Sequence, residues 1–61
     1  MIKYYTDKKD LYKANFDENQ TYVWKRLIEA WGVYPIDHFN DLELEEVDRD
    51  EVEIIVGRFH I

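Results

Sequence analysis

The stretch DENQTYVWKRLIEAWG, residues 17–32, decides how this chain is read. Val23, Trp24, Leu27, Ile28 and Trp31 fall at offsets 0, 1, 4, 5 and 8, which is one apolar stripe of an α-helix. Asp17 has the side chain of an N-cap, and Gln20 stands where the second half of a capping box belongs. Gly32 follows the last stripe residue, at the place of a left-handed C-terminal cap. The spacing therefore predicts a helix from about 18 to 31.

On the N-terminal side, Met1–Tyr5 and Leu11–Phe16 are short runs containing Ile, Tyr and Phe, separated by the polar Thr6–Asp10. They read as a β-hairpin. On the C-terminal side, Pro35 and Asp37 break the chain, with room for one helical turn around His38–Asn40. Beyond it, Leu42, Leu44, Val52, Ile54 and Val56 alternate with Glu43, Glu45, Glu51 and Glu53, a period of two that reads as two strands joined over Asp48–Asp50. A bulge at Gly57 would return Phe59 and Ile61 to the same face. A C-terminal helix is the rival, because Val52, Ile55, Val56 and Phe59 also fit helical spacing. Together these give an α+β domain over residues 1–61, a small antiparallel sheet in β-β-α-β-β order with one helix on one face. That order is similar to the β-grasp architecture of small immunoglobulin-binding domains. The similarity is in element order alone and carries no function.

The composition narrows the chemistry. Sixty-one residues allow one small core, and ten aromatic rings are available to fill it. With no Cys and no Ser, disulfides, thiolate metal sites and the usual hydroxyl or thiol nucleophiles are excluded. His38 and His60 stand in no recognisable motif, and Asp48-x-Asp50 starts a calcium loop that Val52 does not continue. No run is long and apolar enough to span a membrane, and Met1–Asp10 contains no apolar stretch of signal-peptide length. The expectation is a cytoplasmic, non-enzymatic protein without metal or cofactor.

Charge points to a surface. The net charge of −6 is unevenly spread. Residues 37–53 hold nine acids against Arg49 alone, whereas residues 1–36 hold five acids and six bases. The bases Lys3, Lys8, Lys9, Lys13, Lys25 and Arg26 lie among Tyr and Trp, a mixture that stacks on single-stranded bases in other settings. The acidic segment would repel phosphate, so direct nucleic-acid binding is not expected. The candidate contact residues are Asp41, Glu43, Glu45, Glu46, Asp48, Asp50, Glu51 and Glu53, with Glu45 facing Glu53 across a hairpin and with Tyr34 and Phe39 as apolar neighbours. The partner implied is a protein with a basic surface. Small, acidic, cysteine-free, aromatic-rich chains of this profile resemble phage-encoded inhibitors of host defence, DNA mimics and anti-CRISPR proteins among them. The alternative is a self-associating structural or accessory subunit, a homodimer for example, joined basic half to acidic half or edge to edge.

Overall fold

The computed structural model describes all of residues 1–61. The chain is α+β: β1 (Ile2–Thr6), β2 (Leu11–Asn15), β3 (Gln20–Lys25), β4 (Ala30–Tyr34), α1 (Ile36–Asn40), β5 (Glu45–Val47), α2 (Arg49–Val56) and a final 3-10 turn, Arg58–His60. The five strands form one antiparallel sheet in the order β4-β3-β2-β1-β5. The expected first hairpin and the helical turn near His38 are both present.

The central helix is not. Residues 20–34 form a second hairpin, β3 and β4, so the order is β-β-β-β-α-β-α rather than β-β-α-β-β. The physical reason lies in one coincidence of spacing. Trp24 and Trp31 are seven residues apart, which is two turns of a helix. With the four-residue loop 26–29 they are also direct cross-strand partners. The indoles meet edge to face, with centroids 5.2 Å apart. Thr21-Tyr22-Val23-Trp24 is a β-branched and aromatic run suited to a pleated surface, and β3 is laddered on both sides. Leu27 and Ile28, which a helix would have buried, form the exposed hairpin tip.

The supposed caps have other uses. Asp17 lies in the β2–β3 loop, where its carboxylate pairs with the Met1 ammonium. Asn15 Oδ1 accepts the Asp17 and Glu18 backbone N–H groups at 3.1 and 3.3 Å. Gly32 sits within β4, where a Cβ would collide with Lys25 Cε, because the Lys25 stem runs across it. The three hairpin loops instead reverse through Lys8, Asn19 and Glu29 at φ 76°, 54° and 49°. Asn tolerates this region, while Lys and Glu pay about 1 kcal/mol for it. Glu29→Gly should therefore stabilise the β3–β4 hairpin by roughly 1 kcal/mol. A denaturation midpoint that stays put or falls would contradict that loop geometry.

The second expected helix-or-strand choice also resolves toward the rival reading. Leu42 and Leu44 are not in a strand, β5 is three residues long, and 49–56 is helical. Val52 and Val56, one turn apart, are the buried stripe of α2. Gly57, at φ 90°, ends the helix rather than bulging a strand, with its N–H donating to the Glu53 carbonyl at 2.9 Å. Glu45 consequently pairs with Thr6, not with Glu53.

Register sorts the side chains onto two faces. On one, Tyr4, Leu11 and Trp24 pack with Val52 and Val56 of α2, flanked by Trp31, Val47 and Ile61. The Tyr4 hydroxyl donates to the Ile61 carbonyl at 3.3 Å and the Trp31 indole N–H donates to the His60 carbonyl, which ties the C-terminal turn to the sheet. On the other, Tyr12 and Ala14 pack with Phe39 of α1, flanked by Tyr5, Val23, Tyr34, Leu42 and Leu44. Thr21, also on this face, is buried and donates from Oγ1 to the Tyr34 carbonyl at 2.6 Å. Only nine residues are buried, so each one matters.

Candidate functional site

The acidic segment is largely exposed and runs from the end of α1, past the β5 edge, onto α2. Asp41, Glu43, Glu45, Glu46, Asp48, Asp50 and Glu51 are exposed, and Glu53 is half-buried. They lie on the approach to β5, on β5 itself and on α2. β5 is an edge strand, so Glu45 and Glu46 stand at the rim of the sheet. Only Glu46 has a cationic partner, Lys3 Nζ at 3.5 Å. Exposed pairs of that kind contribute little. Asp48, Asp50 and Glu51 surround the start of α2, where backbone N–H groups are unsatisfied and negative charge is favourable by about 0.3–1 kcal/mol each. Those three therefore stabilise the fold whatever else they do. The remaining carboxylates have no such role.

Of the two expected apolar neighbours, Phe39 is in the core and Tyr34 remains partly at the surface. Phe39 is 8% exposed and packs edge-on against Tyr5 and Tyr12, at 5.7 and 6.2 Å between centroids. Its place is the core, because α1 needs one anchor on the sheet and Phe39 is the one residue of α1 that is buried. Tyr34 is half-buried and packs on Tyr12 at 5.3 Å. The apolar group that does stand among the acids is Ile54, 84% exposed on α2, one turn after Asp50 and Glu51. Sequence reasoning placed Ile54 in a core strand. A helical reading of 49–56 assigns it to solvent once Val52 and Val56 face the sheet.

Several of the aromatic residues of the first half are used inside the fold, while Lys8, Lys9, Lys25 and Arg26 are exposed. Tyr4, Tyr12 and Trp24 are buried, so their rings are not free to stack on bases. Lys13 lies over the Tyr22 and Trp31 rings, 5.1 and 4.7 Å from their centroids, and burial lowers its pKa. His38 packs near Tyr34 with α1, and His60 near Trp24 with the C-terminal turn, so the two imidazoles are on opposite faces of the sheet. No three His, Asp or Glu side chains come together as a metal site. No helix is long and apolar enough to cross a membrane.

The β1–β2 loop carries the most perturbed titrations. Asp7 Oδ1 accepts the Asp10 and Lys9 backbone N–H groups at 2.7 and 3.0 Å, and Oδ2 accepts the Tyr12 hydroxyl at 3.3 Å. These bonds, the one from Asp10 first, hold the Asp7 carboxyl below its ordinary pKa. Burial, and then the Asp7 and Asp10 charges, push Tyr12 up to about 12. A tyrosine in the unfolded chain ionises near ~10. The Tyr12 contribution is thus complete below about pH 10 and is lost as pH rises toward about 12, because only the unfolded chain gives up its proton in that window. Asp7 contributes above its unfolded pKa and that share is lost as pH falls through its lowered one. In an alkaline titration followed by circular dichroism, structure should be lost within that upper window. Tyr12→Phe should flatten the dependence there, and an equally steep curve for the variant would refute the assignment.

These features define a small α+β protein with a four-stranded antiparallel meander, extended at the β1 edge by β5, with a short helix on each face and acidic residues over β5 and α2. No family model, curated protein or solved structure matches the chain.

Proposed function

We propose that this chain acts by binding, and that the acidic side formed by the approach to β5, β5 itself and α2 engages a basic surface on a partner protein. The observation that carries the reading is the set of exposed carboxylates from Asp41 to Glu51, with a single ion pair among them, set beside the exposed Ile54. A fixed array of that kind speeds encounter with a positive surface and selects against negative ones. Ile54 supplies an exposed apolar point on α2, one turn after Asp50 and Glu51. Where the partner's basic surface is one that holds nucleic acid, the bound chain takes the place of phosphate and inhibits. The setting proposed is the cytoplasm, where a cysteine-free chain loses nothing by having no disulfides.

The test is neutralisation of Glu43, Glu45, Glu46 and Glu53 to Gln, which leaves the three helix-stabilising acids in place. Binding that survives unchanged would end the proposal.

Self-association has one observation in its favour. β4 is an edge strand of five residues with no charge, the kind of edge that pairs with a second copy. Lys25 crosses the face of this strand at Gly32. A monomer mass that is constant over concentration would exclude this reading.

A further inference from the structure

The loops β1–β2 and β3–β4 project from the same end of the meander, and between them and α2 lies a groove of about 230 Å³. Its apolar wall is formed by Leu11, Trp24, Val47 and Ile55. Lys8, Lys9 and Arg26 line its rim, and none of the three makes an ion pair; the two ion pairs of the structure are elsewhere. Asp10 and Glu51 are the only acids lining it, which leaves one positive charge in excess within a chain of net charge −6. The groove is therefore a local reversal of the molecule's charge, joined to an apolar wall.

We propose that this groove binds a small monoanion with an apolar body, of the medium-chain or arylalkyl carboxylate class. Charge complementarity selects the anion, since three cations without an ion pair line the groove against two carboxylates, Asp10 and Glu51. Size selects a small one. The volume holds about eight waters at roughly 30 Å³ each, and it falls short of the roughly 300–1,000 Å³ that drug-sized ligands occupy. The apolar body lies along Trp24 and Ile55, and the carboxylate meets Lys8, Lys9 and Arg26 at the rim. Lys8 is fixed for this in an unusual backbone state, φ 76°, with its N–H donating to Thr6 Oγ1 at 3.1 Å while that hydroxyl donates to the Asp10 carbonyl at 2.9 Å. None of Glu43, Glu45, Glu46 and Glu53 lines the groove, but Lys8 also borders a neighbouring cleft with Glu43 and Glu45, so the two sites adjoin at Lys8.

The experiment is an NMR titration of the full chain with octanoate, with octanol as the uncharged comparison. Saturable shifts at Lys8, Lys9, Arg26, Val47 and Ile55 are expected, with octanol binding at least about tenfold more weakly. Joint replacement Lys8→Gln, Lys9→Gln and Arg26→Gln, all exposed positions, should weaken octanoate by a similar factor with the spectrum's dispersion retained. The chain with Glu43, Glu45, Glu46 and Glu53 changed to Gln should bind octanoate at least as tightly as the native chain, because Glu43 and Glu45 adjoin Lys8. No saturation in the millimolar range, equal binding of octanol, or undiminished binding by the triple variant would each overturn the proposal.

Discussion

Trp24→Ala should leave the chain unfolded at room temperature. Trp24 is 8% exposed, belongs to the larger core cluster and meets Trp31 across the β3–β4 pair. Truncating a buried Trp costs about 3–5 kcal/mol. A single core in a chain this short rarely supplies more than about 3–5 kcal/mol in total, and here no disulfide adds to it. The loss matches the whole. Circular dichroism should show a disordered chain, and the amide spectrum should collapse to narrow dispersion. Leu27→Ala and Ile28→Ala, at 102% and 66% exposure, should move stability by less than about 0.5 kcal/mol. That contrast separates the hairpin from a helix over 18–31, in which all three residues would lie on one buried stripe. Substantial destabilisation by Leu27→Ala would mean that the hairpin is wrong.

Neutralising Glu43, Glu45, Glu46 and Glu53 to Gln should have opposite effects on folding and on binding. Folding should hold or improve slightly, because Glu43, Glu45 and Glu53 lie in a crowd of like charges without a cationic partner. Glu46 gives up only its exposed pair with Lys3. Affinity for a basic partner should fall by a factor of roughly ten or more, since several contacts of up to about 1 kcal/mol each are lost together. The salt dependence of the remaining affinity should flatten as well. A melting point that drops by many degrees would show instead that these acids hold the fold together.

The contrast between what sequence revealed and what it hid is physical. The first hairpin was legible because β1 and β2 are short aromatic and aliphatic runs around a polar turn, with no competing period. The central element was not, because hairpin partners at i and i+7 around a four-residue loop share a stripe with two helical turns. The exposure of Leu27 and Ile28 is the feature that separates the two, and it is invisible until the strands are paired. At the C-terminus, Val52 and Val56 satisfy both a period of two and a one-turn helical spacing. β-branched composition favoured the strand, while three acids at 48–51 favoured a helix start. The helix prevailed, with Gly57 as its stop.

The acidic side was legible as charge and illegible as shape. Composition alone marked residues 37–53, and the carboxylates are indeed exposed. Phe39 reads as their apolar neighbour because it is close in sequence. Its anchoring role depends on Tyr5 and Tyr12, which lie far back in the chain and meet it only in the folded sheet. Ile54 became visible as a surface residue only when α2 was known to be helical.

The most direct measurement is parallel capture from cell lysate by the native chain, by the variant with Glu43, Glu45, Glu46 and Glu53 changed to Gln, and by the variant with Lys8, Lys9 and Arg26 changed to Gln, each eluted with rising salt. One basic protein should be held by the native chain and by the Lys/Arg variant, released as salt rises, and absent from the Glu variant. The same protein held equally by the Glu variant, or no protein held by the native chain, would contradict it.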